Sequence, residues 1–186
     1  MPKSLAGQLL VASPVLEDPN FARTVVLLLE HTEDGALGLV LNRPSATSVA
    51  NALPQWLSHT AEPAQVFVGG PVEPQAAICL AESDTGAAPE GWQVLDAVAP
   101  TIGVLDLGTD PSAVDGRLLL RIFAGYAGWS AAQLETEISM GGWYVVGARP
   151  SDVLTPEPRD LWRDVLRRQG GNLALVSTFP TDPRLN

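Results

Sequence analysis

Two stretches of this chain, residues 24–30 and 37–42, are apolar almost without interruption and flank the turn-forming run His31-Thr32-Glu33-Asp34-Gly35-Ala36. A strand with one wet face alternates apolar and polar residues, whereas a continuous apolar run needs cover on both faces. The pattern therefore predicts a central β-hairpin with helices or another sheet packed on each side. Such an arrangement needs a large apolar fraction, and 46% of the 186 residues are apolar. That suffices for one domain spanning residues 1–186 to bury a full core.

Around this hairpin the remaining signals are short strands separated by Gly, Pro and Asp turns. Residues 7–12 form a first strand ended by Ser13-Pro14, and Arg43-Pro44 closes the hairpin. Residues 48–57 carry a short helix that Pro54 must shorten or kink. Strands come next at 65–68, stopped by Gly69-Gly70-Pro71, and at 76–80, 92–95, 102–105 and 117–124, with a polar loop over 83–91. The run Gly125-Tyr126-Ala127-Gly128-Trp129 then reads as a strand-to-helix turn. Ser130 is its expected N-cap, Gln133 completes a capping box, and Leu134 and Ile138 share a helix face. Gly141-Gly142 ends that helix and residues 143–146 return as a strand. Thr155 is expected to cap a last amphipathic helix, with Pro156 at its first position, Leu161, Trp162, Val165 and Leu166 as its apolar face, and Gly170-Gly171 at its end. A further apolar run at 173–176 precedes Asp182-Pro183. Many strands and few, late helices indicate an α+β fold with a mostly antiparallel or mixed sheet, not a βαβ array.

Charge and composition narrow the function classes. The formal net charge of −10 raises the cost of approaching nucleic acid or an anionic membrane. No run is long enough to cross a bilayer, and the first residues are too short and strand-like for a secretory signal, so a cytoplasmic location is expected. The single cysteine, Cys79, lies between Ile78 and Leu80 and reads as an inert core thiol. His31, His59 and Cys79 sit in separate segments, which predicts no metal site, and with no Walker lysine or dinucleotide glycine pattern no cofactor is expected. His31 reads as a solvated or turn-stabilising histidine in the hairpin loop and His59 as a surface one. Asp106, Asp110 and Asp115 read as turn formers, and no G-x-S-x-G elbow offers a serine nucleophile. Arg159, Arg163 and Arg167 line one helix face, but Asp160 and Asp164 interrupt it and can pair with Arg163, Arg167 and Arg168.

Two glycine turns and one arginine remain as candidates for binding. Gly69-Gly70-Pro71 is either a tight turn or a nest of backbone amides that holds an anion. The Gly125 turn would present a helix N-terminus, which also suits an anion. With Asn42, Arg43, Tyr126, Gly128, Trp129 and His31, the glycines Gly69, Gly70 and Gly125 make up the candidate ligand-binding set. Either these motifs meet in one cleft, or each is a turn that the fold requires.

The assembled motifs resemble the YqgE/AlgH family over nearly the whole chain. The matching blocks are Gly7-Gln8-Leu9-Leu10-Val11-Ala12, Asp18-Pro19-Asn20-Phe21-Ala22-Arg23-Thr24-Val25, Glu30-His31, Gly35-Ala36-Leu37-Gly38 and Leu41-Asn42-Arg43-Pro44. Gly69-Gly70-Pro71-Val72, Gly125-Tyr126-Ala127-Gly128-Trp129 with Gln133-Leu134-Glu135, Trp143, Leu161-Trp162 and Asp182-Pro183 extend the match. The resemblance implies a bifurcated or partly closed β-sheet surrounded by helices. It also implies a regulatory label derived from an association with alginate regulation, and carries over no catalytic residue. Leu37 stands where methionine is expected, and Leu80-Ala81 replaces a leucine-histidine pair.

The first functional reading is thus a non-enzymatic cytoplasmic binding or regulatory protein whose partner is another protein or a small metabolite. The alternative is an enzyme or binder acting on a small phosphorylated or carboxylated molecule. In that reading Arg43 and the Gly125–Gly128 turn hold the anion and His31 serves as an acid-base group. Direct DNA binding through the Arg159 face is expected to be weak, and no membrane partner is expected.

Overall fold

The computed structural model describes residues 3–84 and 89–182. The predicted hairpin is its centre: β2 (Val25–Thr32) pairs antiparallel with β3 (Gly35–Val40). β1 (Gln8–Ala12) pairs with β2, and β10 (Trp143–Gly147) closes that side on β1. Their side chains divide as expected for strands covered twice. Leu9, Val11, Val25, Leu27, Leu39 and Leu41 enter one buried cluster, while Leu10, Ala12, Val26, Leu28 and Val40 enter another on the opposite face. Successive strand residues point to opposite faces, so continuous apolarity is what two covered faces demand.

The second half of the molecule contains β4 (Pro44–Ser48), β5 (Gln65–Val68), β6 (Val72–Glu82), β7 (Trp92–Val94) and β8 (Ile102–Leu105). The long β9 (Leu119–Ser130) runs through both halves. The main strand order is β10-β1-β2-β3-β9-β6-β8-β7, with β4 and β5 on a branch from β9. Among the described residues the named strands pair antiparallel except β5 with β9, where Phe67 faces Phe123 and Val68 faces Ala124. Past that point the same edge of β9 pairs instead with β3, Gly38 facing Ala127 and Gly35 facing Ser130. The result is an α+β fold built on a curled, bifurcated sheet, and the fork lies at residues 125–126 of β9.

This corrects the expected strand-to-helix turn at residues 125–129. Those residues are strand, and Gly125 is a bend within it at φ 71°. The next helix, α2 (Gln133–Ser139), starts later, with Ala132 at its N-cap in a left-handed conformation. Ser130 therefore does not cap it; Gln133 Oε1 instead accepts from the Ser130 amide and hydroxyl. His31 is likewise in the ladder opposite Ala36, because the hairpin turn is shortened to Glu33-Asp34. Ser48 does cap a short α1 (Val49–Ala52), and beyond it Pro54 opens a 3-10 helix (Pro54–His59). Near the C-terminus, α3 (Pro150–Val153) is succeeded by α4 (Leu161–Gln169) and α5 (Gly171–Val176). Thr155 does not begin a helix. Pro156 and Pro158 disfavour helical geometry in the residues before them, and α4 starts only beyond the second proline.

Helix α4 contributes the four predicted residues Leu161, Trp162, Val165 and Leu166 to the cluster on one sheet face, and α2 places Leu134 on the other. A third cluster fills the outer face of the second half, where Trp56 of the 3-10 helix meets Cys79, Ala81, Leu105, Leu120 and Ile122. Ala81 stands where the family resemblance predicts histidine, and it is fully buried in this apolar layer. The Arg168 guanidinium fixes α4 to α3 by a doubly bonded pair with the buried carboxylate of Asp152, at 2.5 and 2.7 Å.

The fork makes a direct prediction. A Cβ on Gly125 would lie 2.5 Å from the Gly70 carbonyl oxygen, in a left-handed conformation that L side chains rarely adopt. Gly125→Ala is expected to lower stability on the order of 3 kcal/mol, from backbone strain and overpacking together. Gly147→Ala, where an added Cβ meets nothing within 4 Å, should stay within about 0.5 kcal/mol of the parent protein. Urea denaturation of the two variants provides the comparison.

Candidate functional site

The glycine motifs do come together, but they meet each other. A Cβ on Gly69 would approach the Gly125 carbonyl oxygen to 2.3 Å, and one on Gly70 would approach the Tyr126 carbonyl carbon to 2.1 Å. The Gly69 amide donates to the Ala124 carbonyl at 2.9 Å, while the Gly69 carbonyl accepts from the Val40 amide at 2.8 Å. These groups are spent on the sheet, so of the two readings of this triplet the anion nest is not formed by Gly69. The Gly125 run, being strand, offers no helix N-terminus either. Tyr126 packs against the main core cluster, and Gly128 is an exposed position of β9 opposite Leu37.

Asn42 and Arg43 sit elsewhere and share a different task. Asn42 Oδ1 accepts from the Val25 amide and its Nδ2 donates to the Arg23 carbonyl. Arg43 Nη1 donates to the carbonyls of Pro19 and Asn20, at 2.7 and 2.8 Å, and its Nη2 donates to that of Ala22 at 2.9 Å. Partial burial lowers the Arg43 pKa, and Asp18 nearby opposes that shift. The predicted anion-binding guanidinium is thus engaged in holding the loop 18–23 in shape. Asp18 assists from within, its carbonyl accepting from the amides of Phe21 and Ala22.

Ala22 and Arg23 of that loop line a cleft of about 470 Å³, together with residues 13–14, 16–17 and 179–181. Its walls include Pro14, Leu16, Ala22, Phe179 and Pro180, with Arg23 and Glu17 as its charged members. Arg23 is held at φ 58°. Its guanidinium carbon lies 4.4 Å from the centre of the Trp162 ring, and its Nη2 donates to the carbonyls of Phe179 and Pro180. The Trp162 indole is itself fixed by donation to the Ala12 carbonyl at 2.9 Å. Burial, and then the neighbouring positive charge of Arg163, lower the Arg23 pKa. The sequence reading passed over Arg23 as a loop residue, although it stands in one of the motifs that carry the family resemblance.

Trp129 belongs to a third place. Its ring packs against Phe21 and Trp143 at centroid distances of 6.0 Å, and Glu137 Oε2 accepts from both indole N–H groups at 2.9 and 2.8 Å. It also lines a shallow depression of about 220 Å³ with Glu30 and Asp34, a setting that opposes an anion. His31 is close by sequence but is not free. Its Nδ1 accepts from the Leu5 amide at 3.0 Å, so the ring proton resides on Nε2, which donates to Glu135 Oε1 at 2.7 Å. The side chain is buried, which corrects the solvated reading. The Glu135 carboxyl is held below the usual range by its own backbone amide and then by His31.

The other sequence candidates are also engaged. His59, expected at the surface, is buried with its ring against Trp56 and its Nδ1 donating to the Leu118 carbonyl. Burial pushes the Cys79 thiol up to about 12, as suits an inert core position. Asp110 and Asp115 accept from the amides two residues on, as turn formers do. On α4, Arg167 meets Asp164 at 3.4 Å as spacing suggested, but Arg163 donates to the Ser177 carbonyl and Arg168 takes Asp152. Sequence reasoning also missed Arg121, a fully buried arginine whose guanidinium lies over Phe67 and donates to the carbonyls of Thr155 and Glu62. Desolvation lowers its pKa to about 10. Among the described residues, no group of three or more His, Cys, Asp or Glu side chains is arranged to hold a metal ion, and no helix is long and apolar enough to cross a membrane.

The fold is of the α+β class, a curled and mostly antiparallel sheet with several helices. The chain belongs to the AlgH-like family, whose model matches residues 9–174. It is 53% identical to a UPF0301 protein of Thermobifida fusca, over 98% of this chain and 96% of that one. A UPF0301 protein of Mycobacterium tuberculosis is 49% identical, over 95% and 88%. Among solved structures it is similar to a crystal structure of a Corynebacterium diphtheriae protein, with a TM-score of 0.86 and 35% identity over 96% of this chain and 94% of that one. The solution structure of AlgH from Pseudomonas aeruginosa matches with a TM-score of 0.70 and 30% identity, over 98% and 97%.

Two substitutions test these assignments. Arg43→Ala removes three hydrogen bonds to loop carbonyls, and is expected to cost about 2 kcal/mol, whereas a solvated anion-binding arginine would leave stability unchanged. Trp129→Ala should cost on the order of 3 kcal/mol, since it empties an aromatic cluster and leaves Glu137 with one indole partner. Thermal and chemical denaturation report both.

Proposed function

We propose that this chain is a non-enzymatic cytoplasmic binding protein that engages a partner segment or a small metabolite in the cleft around Arg23. The observation that carries this reading is the preparation of that cleft. Arg43 and Asn42 shape one wall, Trp162 supports the guanidinium of Arg23 from behind, and Arg23 tethers the opposite wall through the Phe179 and Pro180 carbonyls. Apolar walls around one fixed polar group are the usual make-up of a binding pocket. The state of the acid-base candidates supports a binding role over a catalytic one: His31, His59 and Cys79 are each buried or bonded to backbone. A regulatory role would operate through occupancy of the cleft. The acidic chain and the engaged Arg163 and Arg167 argue against DNA as the partner.

A second reading, recognition of a small anionic metabolite, is favoured by Arg23 in place of the residues first assigned to it. Only Nη2 of this guanidinium has protein partners among the described residues. Mapping a small-molecule and peptide library by amide chemical shifts tests the proposal. Ligands are expected to perturb residues 13–17, 22–23 and 179–181 together. Hits that gather at His31 and Glu135, accompanied by chemical conversion of the ligand, would contradict it.

A further inference from the structure

The cleft combines apolar walls with a single guanidinium whose position is fixed on three sides. Trp162 lies behind it at 4.4 Å and the Phe179 and Pro180 carbonyls occupy Nη2, which among the described residues leaves Nε–H and the two Nη1–H for an incoming group. Arg163 is near enough to disfavour the charged form of Arg23, so an anion placed there would be attracted by two positive charges. Phe179 is 47% exposed although it is aromatic and borders the cleft.

We propose that the cleft binds a carboxylate that terminates an apolar body, with the carboxylate on Nε and Nη1 of Arg23 and the apolar body along Leu16, Ala22 and Phe179. This rests on the reading of the cleft as a binding site and names the chemistry of its ligand. A charge-assisted hydrogen bond needs an ionised acceptor for the donors that remain, and a carboxylate supplies one. Glu17, exposed on the same cleft, is a like charge that disfavours a doubly charged phosphate more than a singly charged carboxylate. The volume of about 470 Å³ falls within the range of small-molecule pockets. The same chemistry is offered by a free aliphatic or aromatic acid and by the C-terminus of an apolar peptide.

The test is a chemical-shift titration of the full chain with octanoate, 1-octanol, acetyl-Leu-Phe and its C-terminal amide. Octanoate is expected to shift residues 16–17, 22–23 and 179–181 and to bind roughly tenfold more tightly than octanol, because the alcohol lacks the charge that Arg23 pairs with. Arg23→Met should abolish this preference. Glu17→Gln, at an exposed position that leaves the fold intact, should tighten octanoate by about threefold and leave octanol unchanged. It keeps the proposal open to refutation even where Arg23→Met does not fold. Tighter binding of the peptide acid than of both octanoate and the peptide amide assigns the carboxylate to a peptide terminus and supports the proposal. Equal binding of octanoate and octanol, with both at the cleft, would overturn the carboxylate assignment while leaving a binding cleft. No perturbation of the cleft by either acid would overturn the inference, and the library mapping then decides separately whether the cleft binds anything else.

Discussion

The rest of the structure depends on a backbone-to-backbone crossing between Gly69-Gly70 and Gly125-Tyr126. Strand β9 serves two half-sheets, and it exchanges one neighbour for another at this point: β5 up to Ala124 and β3 from Ala127 onward. Both neighbours must approach β9 without a side chain in the way. Any Cβ at Gly69, Gly70 or Gly125 would come within 2.5 Å of a backbone atom on the other segment, a separation that no relaxation of flexible side chains relieves. The glycines are therefore a requirement of topology, and their amides and carbonyls are spent on the sheet.

The fork also makes the candidate site possible. It allows the half-sheet of β10, β1, β2 and β3 to be covered on one face by α4 and on the other by α2. Helix α4 then places Trp162 against the end of β1, where the indole donates to Ala12 and the ring receives Arg23. Arg43, just past the end of β3, reaches back to the loop that precedes β2. The cleft is thus assembled by side chains that lock a loop to a helix, and a guanidinium stacked on an anchored ring costs little further entropy on binding.

The sheet and its two covered faces were legible because period and apolarity are local properties. Residues 24–30 and 37–42 announced a doubly covered hairpin, and Ser48 with Pro54 announced a short helix that changes character. The misreadings share a cause. Gly125 and Gly69-Gly70 satisfy the local rule for turns, yet the constraint they meet is a contact with a segment more than fifty residues away. His31 and His59 carry polar side chains in loop-like contexts, and only the fold reveals the Leu5 amide and Leu118 carbonyl that bury them. Thr155-Pro156 matched a helix start, but Pro158 delays the helix to Leu161. Arg121 and Arg23 were invisible because nothing in an apolar strand or a loop indicates a carbonyl pair or a tryptophan face waiting in space. Arg43 was read as an anion-binding candidate, whereas its guanidinium is engaged with three carbonyls of the loop before β2.

Hydrogen exchange at the fork tests the central claim most directly. The Gly69 amide, bonded to Ala124, and the Val40 amide, bonded to Gly69, join the two half-sheets, so both should open only when the whole molecule unfolds. Their exchange free energies are expected to equal the global unfolding free energy from denaturation, and to exceed that of the Gly108 amide in its exposed turn. Exchange of Gly69 and Val40 through a local opening, at a free energy close to that of Gly108, would show that the crossing does not hold the halves together and would contradict this account.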